Sequence, residues 1–239
     1  MLTLREREQS RQILIVDAED DVTTEALSQL LETAGFTTVA VDEGLAALRE
    51  LQTSPPDLVI LNTTLPDLDG VELLRQMRER SSLPLIAVSD RPEDRTETVR
   101  VLEAGADDLV ARHAPPEEMM ARISALLRRV EWSPANEPRL EVRQLSLDVT
   151  RRMAFLHDRK LQLTPIEYSI LITLMRSAGH VVPHADLLKS VWRTGQPDDY
   201  SVLRVNISRL RQKLKENPRR PGYIVTVPGR GYMMPAGRP

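Results

Sequence analysis

The chain has no cysteine, so neither disulfides nor thiolate metal sites are open to it, and a reducing compartment suits it. No apolar run approaches ~18 residues, and Met1 to Ser10 is charged and lacks a hydrophobic segment. Neither a membrane span nor a signal peptide is expected, and the cytoplasm is the expected location. Aromatic residues make up only 3% of the 239 positions. The most uneven absence is lysine, of which residues 1–131 contain none: they carry 14 Arg against 26 Asp and Glu, a net charge of −12. Residues 132–239 carry 18 Lys and Arg against 9 acids, a net charge of +9, so the overall −3 conceals two halves of opposite sign. A basic half points to a polyanion such as DNA; two solvated surfaces of different composition are the alternative. His113, His157, His180 and His184 are scattered, no nucleophile–base constellation appears and no glycine-rich phosphate loop is present. No enzymatic activity, cofactor or metal is therefore expected.

The acidic half is organised around Pro56 to Gly70. Asp57–Leu61 is a short run of β-branched and leucine side chains between prolines and a Pro-Asp-Leu-Asp-Gly turn, the pattern of a strand buried on both faces of a parallel sheet. Asn62 stands at its carboxyl end, where open α/β sheets present their chemistry. Further strands are expected at Gln12–Val16, Thr37–Val41, Pro84–Val88 and Asp108–Ala111, with helices near Val22–Ala34, Glu43–Gln52, Val71–Arg80, Arg95–Ala104 and Pro116–Val130. Asp69 with Glu72 and Asp90 with Glu93 suit helix N-caps, and Gly35 and Gly105 suit helix stops. Five β-α units in this order predict a doubly wound five-stranded parallel sheet.

The motifs Ile13-Leu14-Ile15-Val16-Asp17-Ala18-Glu19-Asp20, Pro56 to Asn62, Leu65 to Gly70, Ala87-Val88-Ser89 and Gly105-Ala106-Asp107-Asp108 resemble the receiver domain of two-component response regulators across residues 11–130. The resemblance implies an acidic pair binding Mg²⁺, a phosphoryl-accepting aspartate, a switch hydroxyl and a lysine. This chain departs from that set: Asn62 stands at the acceptor position, Ala18 replaces the second acid, leaving Asp17, and Arg112 replaces the lysine. His113 follows where the family usually has proline, Leu109 takes the place of the switch aromatic, and Ser89 keeps the switch hydroxyl. An amide is not a nucleophile for phosphoryl transfer, and one carboxylate offers too few hard oxygens for Mg²⁺. Asp17 and Arg112 could pair directly in this pocket. The resemblance also implies a symmetric dimer face on the fourth helix, fifth strand and fifth helix, with Asp108 and Arg122 as partners, Asp107 with Arg128 or Arg129, and Glu118 at the acidic position of a third pair, where Thr98 stands at the partner position and Arg95 or Arg100 would have to substitute. A solvated charged face is the alternative.

Residues 131–138 hold two prolines, break the periodicity and read as a linker between the receiver-like domain and a second domain over 139–236, with residues 1–10 as a tail. From Arg139 to Leu163 the pattern has period two, which predicts a small antiparallel sheet. Thr164-Pro165-Ile166-Glu167 forms a capping box with proline at the first helical position, opening a helix to about Ser177. A second helix follows Pro183-His184 to about Trp192, and a third runs from Asp198-Asp199 to Glu216. In the third, Leu203, Ile207, Leu210 and Leu214 form an apolar seam, Arg204, Ser208, Arg211 and Lys215 repeat the spacing one residue later, and Arg209 and Lys213 lie on the other flank. A basic helix with a narrow apolar seam is what entry into a DNA major groove requires. Tyr223 to Val227 and Tyr232 to Met234 flank a basic hairpin tip at Pro228-Gly229-Arg230-Gly231.

These elements, with Leu163 to Tyr168, Leu187 to Trp192, Ile207 to Leu214 and Gly229 to Tyr232, resemble the winged-helix effector domain of the OmpR/PhoB family. The resemblance implies double-stranded DNA as partner, Ser201, Arg204, Asn206, Ser208, Arg209, Arg211, Lys215, Thr226 and Arg230 as contact residues, and RNA polymerase touching the loop Arg193 to Pro197. Pro228 departs from an arginine common at the wing. The combined expectation is a DNA-binding transcriptional regulator that works as a homodimer through its receiver and without phosphorylation. A second reading keeps a phosphorelay through Thr63, Thr64 or Ser89.

Overall fold

The computed structural model describes residues 11–18, 22–131, 139–192, 200–215 and 222–236. Glu19 and Asp20 at the end of the first receiver motif, the linker positions 132–138, Asp198-Asp199, the loop 193–197 and the expected helix end Glu216 lie outside the described residues. The chain divides between Leu127 and Arg128, before the last turn of the helix Pro116–Glu131, into two compact units, and that helix is described with the first.

The first unit alternates β1 (Gln12–Val16), α1 (Val22–Thr33), β2 (Thr37–Val41), α2 (Gly44–Thr53), β3 (Leu58–Asn62), α3 (Gly70–Arg80), β4 (Leu85–Ser89), α4 (Arg95–Ala104), β5 (Asp108–Ala111) and α5 (Pro116–Glu131). The sheet is parallel with order β2-β1-β3-β4-β5. Every residue of β3 and β4 is buried, as runs of Leu, Val, Ile and Ala with helices on both faces require. The edge strand β2, TTVAV, is mostly half-exposed or exposed. Register carries the consequence for function: Val16 pairs with Leu61, Asn62 with Val88 and Ser89 with Ala111, so the strands end at one level.

Local signals set the helix ends. Asp69 caps α3 by accepting from Glu72 N at 3.0 Å. The cap of α4 is Asp94, accepting from Thr96 N and Glu97 N, and not Asp90, because the helix begins only after the turn at Pro92. Gly105 ends α4 with φ of 128°, a backbone that glycine alone adopts without strain. Gly70 is required by space, since a Cβ there would lie 2.5 Å from Thr63 O.

The second unit begins with an antiparallel sheet of β6 (Arg139–Val142), β7 (Leu145–Asp148), β8 (Met153–Leu156) and β9 (Arg159–Leu161). Then come α6 (Pro165–Arg176), β10 (Val181–Pro183), α7 (His184–Trp192), α8 (Tyr200–Lys213), β11 (Val225–Val227) and β12 (Gly231–Met233). β10, which the sequence pattern does not reveal, pairs with β12 to complete a three-stranded sheet of order β10-β12-β11. The capping box forms as expected: Glu167 N donates to Thr164 Oγ1, and Thr164 N donates to Glu167 Oε2 at 2.8 Å. α8 stops short of Glu216; Leu214 and Lys215 form a turn, with Lys215 at φ of 55°.

The loop after β3 is fastened to α2 by Asp67, whose carboxylate accepts from Gly44 N at 2.9 Å and Leu45 N at 3.0 Å. These backbone donors, Gly44 first, hold its pKa below the ordinary carboxylate value. A depressed folded-state pKa adds stability that is present above about pH 4 and is lost as pH falls through the folded value. Asp67→Asn is expected to flatten that acid limb, measured as urea unfolding midpoints from about pH 3 to pH 7.

Candidate functional site

The carboxyl ends of β1, β3, β4 and β5 bring Asp17, Asn62, Ser89 and Arg112 to one end of the sheet. Asn62 Nδ2 donates to Asp17 Oδ1 at 2.8 Å, Arg112 Nη2 donates to Asp17 Oδ1 and Oδ2 at 3.2 and 3.3 Å, and Thr24 Oγ1 donates to Asp17 Oδ2 at 2.8 Å. Both oxygens of Asp17 are thus engaged by donors of this chain. Asn62 is 2% exposed and Arg112 7%, so the pair is shielded from water, where a charge–charge contact is stronger than at the surface. The Asn62 amide oxygen accepts from Thr64 N at 3.0 Å. Ala18, exposed beside the cluster, contributes no polar group.

Ser89 lies apart from that cluster in its bonding. Its hydroxyl is fully buried, donates to Glu97 Oε1 at 2.6 Å and accepts from Arg91 N at 3.0 Å. Glu97, on α4, was not singled out by the sequence; its place one turn into a helix gives no sign of a partner on β4. A cavity of about 40 Å³, room for about one water, lies against Asp17, Asn62 and Arg112 between Ile15, Leu27, Ile60, Val88 and Met119. Among the described residues that line it, Asp17 is the only carboxylate. Among the described residues the donor set does not fit Mg²⁺: its one carboxylate is paired with a guanidinium, and no group of three or more metal-ligating side chains occurs.

On the α4–β5–α5 face, Arg122 Nη1 donates to Asp108 Oδ2 at 2.9 Å and Nη2 to Glu118 Oε1 at 2.6 Å, all within one chain. Burial opposes the charge of Arg122, but Asp108 and Glu118 outweigh it and raise its pKa. Arg128 is exposed. Asp107 is not on this face. It is fully buried and turned beneath α3, where its Oδ2 accepts from Arg78 Nη2 at 2.7 Å and Leu85 N at 2.9 Å. The side chain before β5 points inwards because Arg78 reaches across from α3, also bonding Gly105 O at 2.7 Å and Leu83 O.

In the second unit, α8 sorts its polar residues into two sets. Arg204, Ser208 and Gln212 are exposed in one stripe at spacings of four, Ser201 is half-buried at its start, and Lys215 is exposed past its end. Thr226 and Arg230 are exposed on β11 and the hairpin tip. Three expected contact residues turn inwards. Asn206 is fully buried and donates to Val202 O at 3.0 Å. Arg209, its side chain 12% exposed, lies 3.3 Å from Glu167 Oε1, and Lys213 Nζ donates to Glu167 Oε2 at 2.6 Å. Arg211 donates from Nε and Nη2 to Ile224 O and from Nη2 to Thr226 Oγ1 at 2.8 Å. The physical reason is the width of the buried sector: Val202, Val205 and Asn206 are enclosed together with Leu203, Ile207, Leu210 and Leu214, so the residues flanking the seam meet α6 and the hairpin rather than solvent. Gln212 was missed, although the spacing Arg204, Ser208, Gln212 contained it.

Comparison with known proteins agrees with both units. The response regulator receiver domain family matches residues 13–124, and the family described as transcriptional regulatory protein, C terminal, matches residues 158–234. The DNA-binding response regulator MtrA of Mycolicibacterium smegmatis is 34% identical over 232 residues, 97% of this chain and 98% of that protein. The structure of a cysteine-to-aspartate mutant of RitR is similar with a TM-score of 0.77 at 27% identity, covering 95% of this chain and 100% of that one. DrrB of Thermotoga maritima, an OmpR/PhoB homologue, is similar with a TM-score of 0.50 at 29% identity, covering 95% and 99%. The chain belongs to the OmpR/PhoB family of response regulators and is a DNA-binding transcription factor of that type. Among the described residues no helix is long and apolar enough to cross a membrane.

The two sets of cations on α8 are separable by experiment. Glu167→Ala leaves Arg209 and Lys213 without their buried carboxylate and is expected to cost about 3–5 kcal/mol of stability in urea unfolding. Arg204→Ala is expected to leave stability within ~0.5 kcal/mol and to weaken DNA binding by ~1–3 kcal/mol in a gel-shift series.

Proposed function

We propose that this transcription factor acts without receiving a phosphoryl group, its receiver serving as a dimerisation module that responds, if it is regulated, to another cue. The observation that carries the reading is the Asp17 carboxylate held by Asn62 and Arg112 at 2.8 and 3.2 Å. At the acceptor position suggested by the receiver motifs stands an amide that donates to this carboxylate, and at the lysine position a guanidinium that neutralises it. A metal ion would have to displace Arg112 from a buried pair, which leaves a desolvated charge uncompensated. The alternative acceptors Thr63, Thr64 and Ser89 are less favoured, since the Ser89 hydroxyl is buried and committed to Glu97.

Duplex DNA is read, on this proposal, by the exposed stripe of α8 and by the hairpin: Ser201, Arg204, Ser208, Gln212 and Lys215 in the major groove, Thr226 and Arg230 on the backbone or in the minor groove. Asp108, Glu118, Arg122 and Arg128 form the face between two receivers, where the Asp108–Arg122–Glu118 cluster can exchange partners across a two-fold axis. RNA polymerase and a cytoplasmic location complete the proposal, as its partner and its compartment. Most affinity comes from phosphate neutralisation and falls steeply with salt.

Incubation with acetyl phosphate and Mg²⁺, followed by intact-protein mass spectrometry, is expected to give no phosphorylated species. Sedimentation is expected to show a dimer before and after, with unchanged DNA affinity. An acyl or hydroxyl phosphate that raises DNA affinity would overturn the reading.

A further inference from the structure

Four side chains that neither the pocket nor the exposed stripe uses form one stack in the second unit. The His184 ring lies edge-on to Tyr200, centroids 5.2 Å apart at 62°, and edge-on to Tyr232, 5.3 Å apart at 79°. The Arg211 guanidinium lies 5.9 Å from the Tyr232 ring centroid. The places of these residues in the chain give the stack its meaning. Tyr200 is the first residue of the recognition helix α8, and Arg211 sits in its last turn. Tyr232 is the middle residue of β12, the returning strand of the wing, and is buried. His184 opens α7 directly after β10, the third strand of the wing sheet.

The backbone around His184 is itself fixed to the wing. His184 N donates to Arg230 O at 3.2 Å, and Pro183 pairs with Gly231. At Gly231 the strands approach so closely that a Cβ would lie 2.0 Å from Val182 O. The recognition helix is therefore joined to the wing at two points: at its start through Tyr200, His184 and Tyr232, and at its end through Arg211, which reaches Ile224 O and Thr226 Oγ1. Between these points α8 presents Arg204, Ser208 and Gln212, and the wing presents Arg230. Edge-to-face aromatic contacts are directional, so a ring inserted between two tyrosines sets their separation as well as adding contact.

We propose that His184 is a positioning residue for DNA reading: its ring is the spacer that fixes the start of the recognition helix against the wing, so that helix and wing meet a duplex as one rigid body. It acts through Tyr200 and Tyr232 and does not touch DNA. A duplex spanning both elements is then recognised only when their spacing matches the groove geometry, and loosening the spacer weakens binding without removing any contact residue.

The absence of cysteine makes the test direct. Gln212→Cys on the exposed face of α8 and Pro228→Cys at the wing tip, both labelled with nitroxide in the full chain, report the helix-to-wing distance by pulsed electron resonance. With His184 present a single narrow distribution is expected. His184→Ala is expected to broaden it and, in the unlabelled chain that keeps Gln212 and Pro228, to weaken binding about tenfold, the scale of losing two aromatic contacts, to a duplex selected from a random pool by the unsubstituted chain. His184→Phe, which keeps a ring edge, is expected to restore both. A narrow, unshifted distribution in His184→Ala overturns the proposal, as does a loss of affinity with the distribution unchanged, which would make His184 a direct contact. Should His184→Ala fail to fold, Tyr200→Leu removes the same edge contact from the helix side and carries the same two outcomes.

Discussion

A carboxylate taken out of water must meet a cation or give up its charge, and each unit of this protein is built around such meetings. In the first unit Asp17 is met by Arg112 and Asp107 by Arg78; in the second, Glu167 is met by Arg209 and Lys213. The first unit contains no lysine, and geometry makes use of that. A guanidinium is a planar fork with several donors, so Arg78 can bind one carboxylate and two backbone carbonyls from different loops at once. An ammonium in its place would supply charge without that span. The constraint is local in origin and wide in effect, because each arginine ties the end of one element to the start of another.

The same constraint divides the basic residues of α8. Arginine binds a carboxylate and a phosphate through the same donors, so sequence alone does not tell an internal brace from a nucleic-acid contact. Burial makes the distinction. Arg209 and Lys213 face the fully buried Glu167 and are spent on joining α8 to α6, while Arg204 remains in solvent. Arg211 stands between the two cases: it is half-buried, bonded to the hairpin, and leaves Thr226 exposed beside it. A basic helix face therefore overstates the number of groups available to DNA, and the net charge of the half overstates it further.

Much of the first unit was legible because its signals are redundant. Continuous runs such as Leu58 to Leu61 and Leu85 to Val88 can only be satisfied between two layers, and β1, β2 and β5 begin and end where the apolar pattern does. Asp69 was readable as a cap from its spacing to Glu72. The cap of α4 was displaced from Asp90 to Asp94 because several acids in a row offer equivalent spacings, and only the turn at Pro92 decides among them. Asp107 and Asn206 were illegible for another reason: a polar side chain is read as facing solvent, while the structure encloses both of them. Arg112 with Asp17 was foreseeable from the missing second acid, since removing a carboxylate from a pocket leaves the cation free to take the remaining one.

That last pairing bears on what can act on this receiver. Among the described lining residues the charges of Asp17 and Arg112 cancel, and any anion entering the pocket would meet a guanidinium whose Nη2 already donates to a carboxylate at 3.2 Å. A ligand shifts a conformational equilibrium only by its difference in affinity between the two states. In a neutralised pocket the first part of any such affinity is used in separating an existing buried pair, which is unfavourable by several kcal/mol in other proteins. A cue acting at α5 meets less opposition at Glu118, whose side chain is 44% exposed and whose contact with Arg122 can be exchanged at little cost, whereas Asp108, 12% exposed, is held as closely as Asp17. On physical grounds the buried Asp17–Arg112 pair is a rigid part of the first unit, and the Glu118–Arg122 contact on α5 is open to exchange.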